Sequence, residues 1–133
     1  MNAFGGIRIL VVDPNSWVLA LLTDLFRSEG CEVESAINLA GAVSCADVFK
    51  PQVLVTNYLL EDGMTGQNLA LALRQINQLL GLVFLSKLPK EQLALASHAE
   101  SLSGARYCSA GSDFSVPALL DMVASVLPGV PSK

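Results

Sequence analysis

The stretch Val53-Leu54-Val55-Thr56-Asn57 is a short apolar run that ends in an amide. A continuous run of this kind, rich in β-branched residues, is typical of a strand buried on both faces of a sheet. Parallel α/β sheets carry their chemistry at the carboxyl ends of such strands, where Asn57 stands. A carboxylate there can accept a phosphoryl group or hold a metal ion. An amide is a poor nucleophile and a weak metal ligand, so the residue at this position restricts what the site can do.

Strand and helix patterns alternate from this segment towards both ends of the chain. The predicted strands cover 7–12, 31–35, 53–56, 82–86 and 105–108. The predicted helices begin after Asn15 or Ser16 and after Asn38, and elsewhere cover 65–80, 90–102 and 116–127. Repeated βα units imply a parallel sheet with helices on both faces.

For five strands the usual arrangement is the flavodoxin-like, doubly wound α/β fold with strand order 2-1-3-4-5. That order brings the carboxyl ends of the first and third strands together. It therefore predicts that Asp13 and Asn57 are neighbours, with Ser86 beside them at the end of the fourth strand.

Helical spacing of apolar residues also predicts which helix faces are buried. On this basis Leu21 in the first helix and Ile76 in the third are expected to point inward. Trp17, in the first turn of the first helix, is expected to fill the core or a groove rather than to serve as a platform for a ligand.

Length and composition limit the class of protein. The 133 residues suit one domain over 1–133, with a core over about 7–127 and a frayed tail at 128–133. An apolar fraction of 52% excludes disorder. No apolar run reaches the roughly 18 residues of a transmembrane helix, and the amino terminus lacks the features of a secretory signal. A cytoplasmic protein with no membrane partner is therefore expected.

Charge and reactive side chains narrow the function further. The net charge is −4 and no cluster of Lys and Arg exists, so direct nucleic-acid binding is not expected. Cys31, Cys45 and Cys108 lack metal-type spacing, and His98 is the only histidine. No general base stands near a plausible nucleophile, and no glycine-rich phosphate loop follows a strand. We therefore expect the chain to have neither enzymatic activity nor a metal site.

Five stretches of the chain carry a resemblance to a known family. They are Ile9-Leu10-Val11-Val12-Asp13, Pro51-Gln52-Val53-Leu54-Val55-Thr56-Asn57, Gly66 followed by Leu69, Val83-Phe84-Leu85-Ser86, and Gly104-Ala105-Arg106-Tyr107. In this order and at this spacing they resemble the receiver domains of response regulators, the CheY-like family of two-component signalling. The resemblance extends over about 7–127.

The resemblance implies a phosphorylation site with four parts. In the family, two adjacent acids hold Mg²⁺, an Asp on the third strand takes the phosphoryl group, a Ser or Thr on the fourth strand contacts it, and a Lys after the fifth strand pairs with its charge. Here Asp13 is retained, but Pro14 stands at the second acid, Asn57 at the acceptor and Ala110 at the lysine. The chain thus resembles a degenerate receiver, or pseudo-receiver, that binds no Mg²⁺ and needs no cofactor.

Two further features follow from the resemblance. Ser86 and Tyr107 resemble the pair of residues that switch conformation together on activation in the family. Lys87 stands where the family generally has a small residue. Its side chain either points to solvent or folds over the pocket and pairs with Asp13 in place of Mg²⁺, and the sequence leaves both possibilities open.

The resemblance implies a bacterial-type signalling protein that binds a protein partner without phosphorylation. The partner would be a histidine kinase, an output domain or a second copy of the chain in a homodimer, bound through the face of the fourth helix, fifth strand and last helix. Two alternatives stay open. One is a working phosphoacceptor that uses Asp13 or Asp62. The other is a small-molecule sensor whose ligand lies among Asp13, Asn57, Ser86 and Lys87.

Overall fold

The computed structural model describes residues 3–87, 102, 104–111 and 114–128. Its strands are β1 (Arg8–Val12), β2 (Glu32–Ala36), β3 (Val53–Asn57), β4 (Gly81–Ser86) and β5 (Arg106–Ser109). Its helices are α1 (Ser16–Ser28), α2 (Leu39–Phe49), α3 (Gly66–Ile76) and α4 (Val116–Ser125). Apart from residue 102, the helix predicted over 90–102 lies outside the described residues.

The five strands form one parallel sheet in the order β2-β1-β3-β4-β5. Helices α1 and α4 pack on one face of the sheet, and α2 and α3 pack on the other. The central strands are buried on both faces, which is why their sequences are almost continuously apolar, whereas the edge strand β2 alternates. The predicted flavodoxin-like α/β fold and its strand order are confirmed.

Each described helix begins directly after a polar capping residue. The side-chain oxygen of Asn15 accepts a hydrogen bond from Trp17 N at 2.9 Å, and the Asn38 oxygen accepts one from Gly41 N at 2.8 Å. Thr65 and Ser115 cap α3 and α4 in the same way. Such caps satisfy backbone N–H groups that the first helical turn leaves unpaired. Each of these helices starts on the side of the sheet where the strand before it ends.

Three side chains lie where the helical spacing did not predict them. Trp17 is 77% exposed and Leu21 is 63% exposed, because α1 packs through the stripe of Leu19 and Leu22 and these two residues lie on the opposite side. Ile76 is 57% exposed because α3 ends there instead of continuing to residue 80. The predictions of burial for Trp17, Leu21 and Ile76 are therefore wrong.

Candidate functional site

A crevice opens where the carboxyl ends of β1, β3 and β4 meet the segment after β5. It has a volume of about 450 Å³ and is lined by Asp13, Pro14, Asn15, Val18, Asn57, Leu85, Lys87 and Ala110. The predicted meeting of the first and third strand ends is thus present. Ser86 and Tyr107 do not line this crevice.

Asp13 is the only acidic residue among the eight that line the crevice. It is buried directly behind β1, and its Oδ1 accepts a hydrogen bond from Asn15 N at 2.8 Å. Burial raises the pKa of its carboxyl above the usual 3.8, and the hydrogen bond from Asn15 and the charge of Lys87 act in the opposite direction. The described lining of the crevice therefore offers one carboxylate, with one oxygen already engaged.

Asn57 closes β3 and is held by its own loop. Its Nδ2 donates a hydrogen bond to the carbonyl oxygen of Leu59 at 2.9 Å. A carboxylate could not replace the amide in this bond, because it has no hydrogen to donate and would face the carbonyl oxygen. The amide at this position is thus part of the local structure of the loop, in addition to being unable to attack a phosphoryl donor.

Pro14 and Ala110 bring no charge to the crevice. Pro14 has neither a backbone N–H nor a side-chain ligand. Ala110 N donates a hydrogen bond to Ser86 O at 2.7 Å, and its methyl group packs against the apolar cluster under α1 and α4. These positions face the same space as Asp13, so acidic or basic side chains there would reach the site.

Lys87 is the one cationic residue among the described residues that line the crevice. Its side chain is exposed, yet its charge lowers the pKa of Asp13. The exposure of Lys87 agrees with the first sequence-based alternative, in which the side chain points to solvent, and its charge still acts on the buried carboxylate. Its role as a cation that replaces a metal ion stays a prediction.

Replacing Lys87 with Met is expected to raise the pKa of Asp13 further. The substitution removes the attraction of a positive charge, whereas the desolvation of the carboxyl remains. An NMR titration of the Asp13 carboxyl carbon measures this change. Arg106→Met, which removes an exposed cation that does not line the crevice, is the control and should leave the titration unaltered.

The same titration has a consequence for stability. Folding raises the pKa of Asp13, so its protonation stabilises the folded chain. This contribution to the free energy of unfolding is fully present below pH 3.8 and is lost as the pH rises through the folded-state pKa. Lys87→Met should extend the pH range over which the contribution persists towards higher pH. An Asp13 titration identical in Lys87→Met and in the original chain would show that Lys87 does not act on this carboxyl.

The region around the predicted switch residue Tyr107 contains an unpredicted polar contact. The Tyr107 ring stacks on Phe84 with centroids 5.0 Å apart, and its hydroxyl accepts a hydrogen bond from Gln67 Nε2 at 3.5 Å. The Oε1 of Gln67 in turn accepts one from the Tyr58 hydroxyl at 3.2 Å. This chain of side chains links the loop after Asn57 to β5. The sequence feature that could have indicated this contact is Gln67, a polar residue on the sheet-facing side of the helix predicted over 65–80.

The loop after β3 is held close to the sheet. A Cβ atom at Gly66 would lie 2.6 Å from Asn57 O and 2.9 Å from Thr56 Cγ2, so only glycine permits this approach. Tyr58 O accepts a hydrogen bond from Gly66 N at 2.7 Å. Asp62 is exposed in this loop, in a turn with φ of 61°, and does not line the crevice.

Exposed apolar side chains also occur on this edge of the sheet. Each follows the carboxyl end of a strand, either in a loop or in the first turn of a helix. We call this set the apolar rim, and it consists of Trp17, Ile37, Leu59, Met64, Phe114 and Val116. The rim extends from Ile37, after the outer strand β2, to Phe114, after the outer strand β5, so only a part of it can belong to one interaction surface.

Metal sites, reactive thiols and membrane-spanning helices are the other features that bear on function in the described part of the chain. There, no group of three or more His, Cys, Asp or Glu side chains is placed to hold a metal ion. Cys31, Cys45 and Cys108 are free thiols, and burial raises the pKa of each, to about 11 for Cys31. None of the described helices has the length and apolar character needed to cross a bilayer.

Solved structures of receiver domains match nearly the whole chain. A response regulator receiver domain protein from Clostridium thermocellum has a TM-score of 0.75 at 17% identity, over 90% of this chain and 93% of its own. A response regulator receiver protein from Sinorhizobium medicae reaches 0.80 at 16% identity, over 95% and 98%. The chemotaxis protein CheY4 of Vibrio cholerae reaches 0.76 at 20% identity, over 92% and 100%.

At these identities the similarity shows the fold alone, which is that of response-regulator receiver domains. No protein-family model matches the chain. The comparison with curated proteins gives no match.

Proposed function

We propose that this chain is an atypical receiver domain of two-component signalling that binds a protein partner without being phosphorylated on aspartate. The observation that carries the proposal is the composition of the crevice. Asn57, Pro14 and Ala110 stand where an acceptor, a second acid and a lysine would be needed, and all three line the same space. The fold supports the signalling class, and the crevice supports the phosphorylation-independent mode.

The proposal follows from what phosphoryl transfer requires. The reaction needs an attacking oxygen, and Mg²⁺ needs several hard oxygen ligands in octahedral geometry. Among the described residues that line the crevice, the one acid is Asp13, whose pKa is raised by burial, with the cation of Lys87 acting in the opposite direction. We therefore infer that the crevice captures neither Mg²⁺ nor a phosphoryl group, and that the chain has no cofactor and no enzymatic activity. Lys87 would supply a fixed positive charge beside Asp13 in place of a metal ion.

The binding surface that we propose includes β5 and α4, together with the helix predicted over 90–102. The apolar rim supports this choice, because two of its members, Phe114 and Val116, are exposed at the start of α4. The hydrogen bonds from Tyr58 to Gln67 and from Gln67 to Tyr107 connect the loop after β3 with β5. A histidine kinase, an output domain or a second copy of the chain, in a bacterial cytoplasm, is the proposed partner.

The partner proposal is tested by quantitative capture from cells that produce the chain. Phe114→Ser combined with Val116→Ser removes two exposed rim side chains at the start of α4 and should reduce capture of the main partner about tenfold or more, as expected for residues near the centre of an interface. Val48→Ser is the matched control, because Val48 is 84% exposed on α2, away from the rim.

Treatment with a phosphodonor should leave capture by the original chain unchanged. A partner that binds only after phosphodonor treatment would contradict the phosphorylation-independent mode. Equal capture by the rim variant and by Val48→Ser would contradict the proposed surface.

The size of the crevice favours a small-molecule sensor as a second function. About 450 Å³ lies within the range of ligand pockets. A thermal-shift screen with nucleotides and metabolites distinguishes the two functions. A compound that raises the melting temperature of the original chain, but not of Lys87→Met, would favour the sensor.

A further inference from the structure

A second cavity lies on the side of the sheet where the strands begin, opposite the crevice, between the carboxyl ends of α2 and α3. We call it the lower cavity. Its volume is about 370 Å³, and it is lined by Arg8, Ala46, Lys50, Pro51, Leu73, Ile76, Asn77 and Leu80. Arg8 opens β1, and Leu80 directly precedes β4. The proposed signalling function uses none of these residues, so the lower cavity is free to serve a different ligand.

One side of the lower cavity is apolar. Ala46, Pro51, Leu73 and Leu80 are buried there, and the partly exposed Ile76 stands at the mouth. Apolar walls of this extent favour a ligand with a hydrocarbon part. The volume is at the lower end of the range for small-molecule pockets, so it suits a short chain or a single ring.

The polar side of the lower cavity carries hydrogen-bond donors. Arg8 uses Nε to donate to Lys50 O at 2.9 Å, which leaves the terminal guanidinium nitrogens for a ligand. The exposed ammonium of Lys50 provides a second cation. The Oδ1 of Asn77 already accepts a hydrogen bond from Leu79 N at 3.0 Å, so its Nδ2 is the atom that can still bond. None of the described residues that line the cavity is acidic.

The backbone acceptors around the lower cavity are largely engaged. Ala46 O accepts from Lys50 N at 3.0 Å, and Leu73 O accepts from Asn77 N at 2.9 Å. Leu80 O accepts from Nε and Nη2 of Arg74 at 3.2 and 3.0 Å. These carbonyls belong to the ends of α2 and α3 and the start of β4. The cavity therefore presents free donors and two cations, but few free acceptors.

We infer that the lower cavity is a binding site for a small amphipathic anion, a carboxylate that carries a short hydrocarbon chain. The carboxylate accepts hydrogen bonds from Arg8, Lys50 and Asn77, and the chain packs against Ala46, Leu73 and Leu80. The charge-assisted bonds select an anion over an alcohol of the same length, and the apolar side selects it over acetate. This inference is independent of the proposed signalling function.

Amide NMR of the original chain tests the inference, with octanoate as the probe and 1-octanol as its uncharged counterpart. We expect saturable shifts at residues 46–51 and 73–80 with octanoate. Binding of 1-octanol should be weaker by more than about tenfold, because the hydroxyl loses the charge-assisted hydrogen bonds from both Arg8 and Lys50. Lys50→Gln, which removes one of these two bonds, should weaken octanoate binding by about tenfold, whereas Arg106→Gln, on β5, should not change it.

Three results would overturn the inference. They are equal binding of octanoate and 1-octanol, unchanged binding of octanoate to Lys50→Gln, and octanoate shifts confined to the crevice. Lys50 is the better position for substitution because its side chain is exposed and the variant should fold, whereas Arg8→Gln also removes the hydrogen bond to Lys50 O. Ile76→Ser, at the mouth of the lower cavity, should weaken the binding of octanoate without affecting the binding of acetate.

Discussion

A chain that carries Pro14→Asp, Asn57→Asp and Ala110→Lys together is expected to accept a phosphoryl group from acetyl phosphate in the presence of Mg²⁺. The three positions line one crevice with Asp13, so the new carboxylates and ammonium face the same space. They provide an attacking oxygen, a second ligand for Mg²⁺ and a positive partner for the phosphoryl oxygens. Each charge-assisted contact contributes about 1.5–3 kcal/mol, or roughly ten- to a hundredfold in rate or affinity.

The single variant Asn57→Asp is expected to take up little phosphate. It gains a nucleophile but lacks the second acid and the lysine, and it loses the hydrogen bond from Asn57 Nδ2 to Leu59 O. Intact-mass spectrometry compares the variants, and circular dichroism confirms that each is folded. Phosphorylation of the single variant to the same extent as the triple variant would show that Pro14 and Ala110 do not limit the chemistry. A folded triple variant that remains unmodified would show that the crevice has lost the geometry as well.

Phe84→Ala is expected to lower the free energy of unfolding by about 3–5 kcal/mol, a large part of the roughly 5–15 kcal/mol that a domain has. Phe84 is fully buried in the apolar cluster under α2 and α3. Its ring also stacks on Tyr107 and meets Tyr58 edge to face at 6.4 Å. The substitution therefore leaves a cavity and removes the support of the hydrogen-bonded chain through Gln67.

Urea denaturation measures this loss of stability. Leu79→Ala is the matched control, because Leu79 is 86% exposed and its truncation should change the stability by less than about 0.5 kcal/mol. A loss below about 1 kcal/mol for Phe84→Ala would mean that the surrounding side chains collapse into the space, contrary to the close packing seen in protein cores.

The sheet, and the group of residues at the carboxyl ends of its strands, were predictable because the sequence patterns that indicate them are local. Apolar runs mark the central strands, and Asn15, Asn38 and Thr65 mark helix starts through their own side-chain hydrogen bonds. Once the strand order is known, the meeting of Asp13 and Asn57 follows from topology alone.

The remaining features depend on contacts between distant parts of the chain. The α1 helix is apolar on more than one side, so its periodicity does not decide whether Leu19 or Leu21 faces the sheet. The bond between Gln67 and Tyr107 joins residues forty positions apart, and no sequence spacing indicates it. The lower cavity depends in the same way on where α2 and α3 end.

The most direct test of the central claim, that this crevice cannot capture a phosphoryl group, is the intact mass of the unaltered chain after incubation with Mg²⁺ and acetyl phosphate. A phosphorylated receiver of similar fold serves as the positive control. We predict a single species with the mass of the unmodified chain. A species heavier by one phosphoryl group, located on Asp13 or Asp62 by fragmentation, would contradict the claim.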